Sequence, residues 1–238
     1  MFDGFDREFP RFLADLSTNN TQQWFAENSA RYDRLCRGPI SRLIDGLAFR
    51  LEIYDPPHLV ETDQGGSIAV KKRIRAEEEH LSGDFNPFVH LHFQASCPSQ
   101  IAPKLHLVFG SCGLGLGGGF SSFSPQQAQR FQRALSKPEH LTALDRAVEA
   151  AQKSGCYLEN LRETKSVPAL SKSEGEEQLA PYKKQQGILV RSRNEGYSPA
   201  IFTEDCVDYI DFRLRQLLPL QQWLVQHIVQ DDELKFQP

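Results

Sequence analysis

The chain has 238 residues, with 27 Lys and Arg against 31 Asp and Glu, so its formal net charge is −4 at pH 7. This balance argues against nucleic-acid binding through a basic surface that neutralises phosphates. With 39% hydrophobic and 24% charged residues, the composition is typical of a folded globular chain and not of a disordered one.

The cellular context follows from the N-terminus and the cysteines. The first residues are acidic where a secretory signal would be basic, and no apolar stretch is long and continuous enough for a membrane span. The five cysteines are widely spaced and contain no CxxC pair. These features predict a cytoplasmic protein with reduced thiols and no membrane partner.

The first part of the chain, about residues 6–53, has the apolar spacing of three helices. Thr21 is expected to cap the second helix, because a threonine hydroxyl can accept a bond from the first turn. Gly38-Pro39 is expected to separate the second helix from the third, which ends before Asp55-Pro56-Pro57.

The middle of the chain carries almost no charge. Between residues 85 and 129, Lys104 is the only Asp, Glu, Lys or Arg. Alternation and β-branched or aromatic content predict two strands, 87–95 and 104–109, joined as a hairpin. Residues 67–75 form a further strand candidate with one basic edge.

The rest of the chain is predicted to be mainly helical. Its signals in chain order are two helices begun by Ser124-Pro125 and Lys137-Pro138, a surface loop over 163–181, a short strand over 187–191, and a final helix capped by Thr203 and kinked or restarted at Pro219.

Together these elements predict one α+β domain over residues 1–238. Helices over about 6–53 and 124–230 would cover a mainly antiparallel sheet in the region of about 67–123. The 16 phenylalanines concentrate in the N-terminal helices and in the charge-poor middle. We expect these two groups to pack on each other in one aromatic core.

A family resemblance accompanies this pattern. Its residues are Gly4-Phe5, Phe12-Leu13, Asn19-Asn20, Trp24-Phe25, Tyr32 and Pro39, followed by the glycine-rich segment and Ser124-Pro125. With these features the chain resembles a conserved-hypothetical family of bacteria and fungi, domain of unknown function 2461. The resemblance extends from Gly4 to about Leu224, and it implies a cytoplasmic protein without supplying an activity.

Members of that family carry a signature of the form R-D-x-R-F-S-x-D-K-x-P-Y-K, which corresponds to residues 77–89 here. Three of its positions match, namely Ser82, Asp84 and Pro87. Its basic residues are replaced by Glu77, His80, Phe85 and Val89. If the family's basic cluster binds an anion, this chain has lost or moved that property.

The sharpest local motif is His90-Leu91-His92. Alternate residues of a strand share a face, so both imidazoles should point the same way, and a hairpin would bring His106 to the same side. Three neutral imidazoles can bind zinc or iron with an open fourth position, so a divalent transition metal is a candidate cofactor. Asp84 or the run Glu77–Glu79 could add an oxygen ligand. The alternative is that these histidines simply line a half-exposed sheet face.

A glycine-rich motif follows the second strand. Gly113, Gly115 and Gly118 satisfy the G-x-G-x-x-G spacing, which makes them candidates for binding a nucleotide or another small ligand. Dinucleotide sites need a helix that begins inside the motif, and here the helix signal waits until Ser124. A structural bend over 113–119, in which the backbone packs closely, is therefore favoured.

Cys112 is the candidate nucleophile. It lies in Gly110-Ser111-Cys112-Gly113, just after the strand that carries His106, and a thiol beside an imidazole can act in covalent catalysis. The alternative is a small residue in a tight turn.

Two functional hypotheses remain. The first is a pocket protein, a small-ligand or metal binder and possibly an enzyme, with its site at the sheet histidines. The second is a non-catalytic interaction or structural domain that uses apolar surface to bind a protein partner or a second copy.

Overall fold

The computed structural model describes residues 2–60, 85–97, 101–161, 181–182, 185–193 and 196–229. These residues form an α+β fold in which helices pack on one face of a six-stranded antiparallel sheet. The predicted fold class is confirmed. The strand candidate at 67–75 and almost all of the predicted loop at 163–181 lie outside the described residues.

The N-terminal helices are α1 (Phe9–Thr18), α2 (Gln22–Glu27), α3 (Ser29–Tyr32) and α4 (Gly38–Glu52). The prediction for Thr21 is confirmed, because its side chain accepts a bond from the Trp24 amide at 3.2 Å. The predicted break at Gly38-Pro39 is wrong. A π-helical turn over Asp33–Arg37 joins α3 to α4 without interruption. Such a wider turn accommodates a proline, which has no N–H to donate to the preceding turn.

The six strands are β1 (His58–Val60), β2 (Val89–Ala95), β3 (Lys104–Phe109), β4 (Leu114–Phe120), β5 (Cys156–Leu158) and β6 (Ile188–Ser192). Their order in the sheet is β1-β2-β3-β4-β6-β5, and every neighbouring pair is antiparallel. The predicted hairpin is therefore confirmed as β2 and β3, and the predicted strand near 187–191 is confirmed as β6. The strands β1, β4 and β5 were not predicted.

The glycine-rich stretch is strand β4 and not the predicted bend. It pairs with β3 on one side and β6 on the other, and all seven of its residues are buried. A side chain at Gly119 would clash with the Ile188 carbonyl oxygen, and Gly119 also has a φ of +133°. Glycine is used here because the backbone of β6 passes too close for a Cβ atom.

The later helices are α5 (Pro125–Leu135), α6 (Pro138–Lys153), α7 (Cys206–Arg215) and α8 (Leu218–His227). Ser124 and Gln127 form a reciprocal capping box at the start of α5, as its sequence signal indicated. The predicted restart at Pro219 is confirmed by α8. The helix predicted to begin at Thr203 begins later, at Cys206, because Thr203 closes a short 3₁₀ turn over Pro199–Phe202.

The core lies between the helices and one face of the sheet. In β2 and β3 the residues facing the helices are buried, whereas the alternate residues are half-buried or exposed. The ring of Phe109 lies 5.2 Å from that of Phe5 and 5.9 Å from that of Phe9. The expected contact between the two phenylalanine groups is therefore confirmed, and one apolar cluster runs from Phe2 to Ile228.

Two properties of the chain bear on its context. Among the described residues, no helix has the length and apolar character that crossing a membrane requires. All five cysteines are free thiols, and three of them, Cys36, Cys156 and Cys206, are buried.

Candidate metal centre

Two neighbouring strands place three histidines on one face of the sheet. His90 and His92 alternate with Val89, Leu91 and Phe93 in β2, so the imidazoles point away from the core. His106 lies directly opposite His92 in the β2–β3 register. The cluster therefore follows from the same alternation that buries the apolar residues.

The three imidazoles converge. One ring nitrogen from each lies within 4.8 Å of the others. Nε2 of His90 and Nδ1 of His106 are 3.2 Å apart, and the ring centroids of His92 and His106 are 5.0 Å apart. Two nitrogen ligands of a tetrahedral zinc ion, each at 2.0–2.1 Å, are about 3.3 Å apart. The His90–His106 pair already has this spacing, and the His92 ligand nitrogen lies within 4.8 Å of both.

The electrostatics of the cluster favour the neutral form of His106. The pKa of His106 is lowered to about 3, chiefly because burial penalises the charged imidazole. The charges of His92, His90 and Lys104 lower it further. His106 is thus neutral at physiological pH, and the neutral imidazole is the form that donates a lone pair to a metal ion.

Among the described residues, the positions next to the histidines on this face are polar within the hairpin and glycine in β4. Gln94 and Lys104 are opposite each other in the row next to His92 and His106. Across β3, His106 is opposite Gly117, and beyond Gly117 comes Arg191 of β6. An arginine guanidinium can bind an anion. That of Arg191 already forms an ion pair, because one of its Nη atoms lies 2.7 Å from a Glu159 carboxylate oxygen.

The candidate nucleophile does not join the histidines. Cys112 is exposed in the turn between β3 and β4, and its sulfur contacts the Ser111 hydroxyl at 3.7 Å. His106 is instead opposite Gly117 in the body of the sheet, and its hydrogen-bond partner is His90. The geometry thus places no imidazole at the Cys112 thiol, and a cysteine–histidine pair is not assembled in the described residues.

The three candidate glycines lie in or beside strand β4, and no helix begins among them. Gly113 is bridged to Gly196, with the two backbones too close for a side chain. Gly118 faces the helices, where a Cβ atom would lie 2.8 Å from the Gln221 amide nitrogen. Gly115 is opposite Val108 on the histidine face. Close backbone packing explains Gly113 and Gly118, and ligand binding by these residues stays a prediction.

Two polar arrangements were not predicted. The Asn20 side chain bonds both backbone groups of Phe85, donating to the oxygen at 2.6 Å and accepting from the nitrogen at 2.7 Å. The rings of His140 in α6 and His227 in α8 stack with centroids 4.2 Å apart. The sequence spacing of 65 and 87 residues gives no local signal for either pair.

Most of the chain matches one protein-family model. Residues 8–223 match the model described as "Conserved hypothetical protein (DUF2461)". The chain belongs to this family. No curated protein and no solved structure matches it.

Two of the positions at which this chain differs from the family's basic signature, Phe85 and Val89, lie among the described residues. Phe85 stands where the signature has a lysine, and its ring stacks on Phe25 with centroids 4.3 Å apart. An aromatic contact thus replaces a cation there. The proposed oxygen ligands at Glu77–Glu79 and Asp84 lie outside the described residues.

Proposed function

We propose that this chain binds a divalent transition metal, zinc in the first instance, through His90, His92 and His106. The observation that carries the proposal is the convergence of three imidazole nitrogens within 4.8 Å on one sheet face. Three neutral nitrogen ligands suit zinc, and a site with three protein ligands keeps a position for water or a substrate. The proposal therefore describes a metal-dependent pocket protein, and an enzyme is compatible with it.

The rigidity of the scaffold supports the proposal. All three ligands lie on paired strands, where the register fixes the separation of their backbones. A site on loops would have to order its ligands when the ion binds. Here that ordering is largely supplied by folding, so binding should cost little conformational entropy.

The composition bears on the cellular compartment and on the partners of the protein. We propose a cytoplasmic protein that has no nucleic-acid partner, in keeping with its net charge of −4 and its five free thiols.

Metal analysis tests the proposal directly. Protein purified without a histidine tag or chelator is analysed for zinc, iron, cobalt, nickel and copper, and is then titrated with zinc by calorimetry. We expect about one equivalent of zinc per chain after reconstitution, as for one closed set of ligands. Less than about a tenth of an equivalent, with no gain on reconstitution, would falsify the metal site.

Matched variants separate this site from adventitious binding. His90→Ala and His92→Ala each remove one ligand, and His227→Ala removes an imidazole far from the cluster. The two ligand variants should weaken zinc binding by more than the roughly 10–100-fold that outer-shell changes cost, whereas His227→Ala should bind like the parent. Circular dichroism checks that all three variants are folded.

A second candidate function is protein interaction through an apolar surface. Phe49 of α4 is 70% exposed, Ile53 just after α4 is 57% exposed, and Phe212 of α7 is 63% exposed. The two helices pack together, since Arg50 lies 3.4 Å from an Asp211 carboxylate oxygen. Large exposed aromatic side chains are a feature of protein-binding surfaces.

Gel filtration with light scattering tests self-association through these residues. A dimer that dissociates when Phe49 and Phe212 are both changed to Ser would support it. A strict monomer at every concentration would exclude self-association and leave the metal site as the functional feature.

A further inference from the structure

We propose that the metal centre binds an oxyanion-bearing ligand, a carboxylate or a phosphate group, with one oxygen on the metal and another on Lys104 and Gln94. This inference rests on the metal site proposed above. It deepens that proposal by naming the chemical class of the small molecule that occupies the open position.

The first support is the register of the hairpin. Gln94 follows His92 by two residues in β2, and Lys104 precedes His106 by two residues in β3. Because alternate residues share a face, Gln94 and Lys104 lie on the histidine side of the sheet. They are also directly opposite each other, so they form the row of side chains adjacent to His92 and His106.

The second support is distance. Two residues along a strand span about 6.7 Å, a length that the long side chains of lysine and glutamine readily cover. A polyatomic anion on the metal would therefore extend toward a cation and an amide donor.

The third support is charge. Within the described part of the chain, three neutral imidazoles bring no negative charge to offset the 2+ of the ion, and Lys104 adds a further positive charge on the same face. The described residues contribute histidines alone to the ligand group. An anionic ligand is what this combination attracts, and a lysine binds such groups as a point charge.

Arg191 is a weaker partner for the same anion. It lies two strands from His106, beyond Gly117, and one of its guanidinium nitrogens is engaged by Glu159 at 2.7 Å. Its guanidinium carbon also lies 5.8 Å from the centre of the Tyr157 ring. These contacts hold Arg191 toward β5, away from the histidines.

Cobalt(II) provides a spectroscopic test, because its visible absorption responds to a change of ligand at the metal. The full-length protein is loaded with cobalt(II), and the stoichiometry is measured first. Acetate and inorganic phosphate are then titrated separately into the loaded protein. We expect both to change the spectrum with saturable curves. The anion that binds more tightly identifies whether the pocket is suited to a carboxylate or to a phosphate.

Three variants assign the second contact. Lys104→Met should weaken anion binding by about tenfold or more, the effect expected when a hydrogen bond to a charged group is lost. Lys104→Arg keeps the charge and should retain most of the affinity. Lys153→Met makes the same change at an exposed lysine of α6 and should leave anion binding unchanged.

The outcomes separate this inference from the metal site. One equivalent of cobalt(II) with no spectral response to either anion overturns the anion proposal and leaves the metal site standing. Equal anion affinity in the parent and in Lys104→Met overturns the role of Lys104. Absence of cobalt(II) binding in the parent overturns both proposals, since the anion is proposed to bind on the metal.

Discussion

The two faces of the β2–β3 hairpin are built from the same 13 strand residues and have opposite chemistry. One face presents Leu91, Phe93 and Leu107 to the helices, and these side chains are almost fully buried. The other presents three imidazoles and Lys104, which are half-buried or exposed. The buried face contributes to the free energy of unfolding through its apolar contacts. The histidine face is expected to contribute to stability only when a ligand binds to it. The difference shows that the histidine cluster occupies the sheet without interrupting the core.

The largest expected effect tests the stabilising face. Leu107→Ala should lower the free energy of unfolding by about 2–5 kcal/mol, because it leaves a cavity in a fully buried site. Val108→Ala, its neighbour on the histidine face, should cost about 1 kcal/mol or less. Urea denaturation of both variants measures the two values. Similar costs would mean that the faces are not energetically distinct.

The next largest effect is expected on the histidine face. Zinc at one hundred times its dissociation constant should stabilise the parent by about 2.7 kcal/mol, since a ligand that binds only the folded state shifts the equilibrium. His106→Ala should gain almost nothing from zinc. The shift of Tm with zinc concentration measures this, and an equal shift in both proteins would place the ion elsewhere.

A smaller effect is expected at the glycines of β4, which lie beside the histidine-bearing strand β3. Gly119→Ala should destabilise by about 2 kcal/mol or more, because its positive φ disfavours a Cβ atom and because that atom would clash with Ile188. Gly155 has a φ of +85° but open space around it, so Gly155→Ala carries the backbone cost alone. Equal losses in the two variants, measured by urea denaturation, would contradict the close approach of β6.

The smallest effect uses a histidine on the core face. Burial lowers the pKa of His58, so the unfolded chain takes up a proton below about pH 6.5 that the folded chain resists. The free energy of unfolding should therefore fall as the pH drops from 7 toward 5, by up to about 1.4 kcal/mol per pH unit from this group.

His58→Asn provides the test of that pH dependence. Its amide nitrogen can replace the bond between His58 Nδ1 and the Pro56 oxygen, which is 2.8 Å long. The variant should show a shallower loss of stability in acid than the parent, in metal-free buffer. Parallel curves for the two proteins would show that His58 is not the group responsible.

Local signals explain what could be predicted from the sequence. The caps at Thr21 and Ser124 involve contacts over three residues, and the alternation in β2 is visible in seven. Such patterns carry their own physical reason within a short window. They predicted the principal helices, the hairpin and the shared face of His90 and His92.

Non-local pairing explains what could not be predicted. β1 and β5 have three residues each, and their partners β2 and β6 lie some 30 residues further along the chain. β4 is rich in glycine, a residue that weakens strands, and its neighbours on both sides override that preference. The convergence of His106 with His90 and His92 depends on the register of β2 and β3, which is set by the pairing of the two strands and not by either strand alone.

The opposition of His92 and His106 has a consequence for how the chain folds. A slip of one residue in the β2–β3 pairing would turn His106 inward and Leu105 and Leu107 outward, because side chains alternate between faces. A mispaired hairpin would therefore lose its apolar contacts and its three-imidazole cluster together. An ion that requires all three rings would bind only chains in which the two strands pair in the correct register. Such binding would therefore favour the correct register over a slipped one.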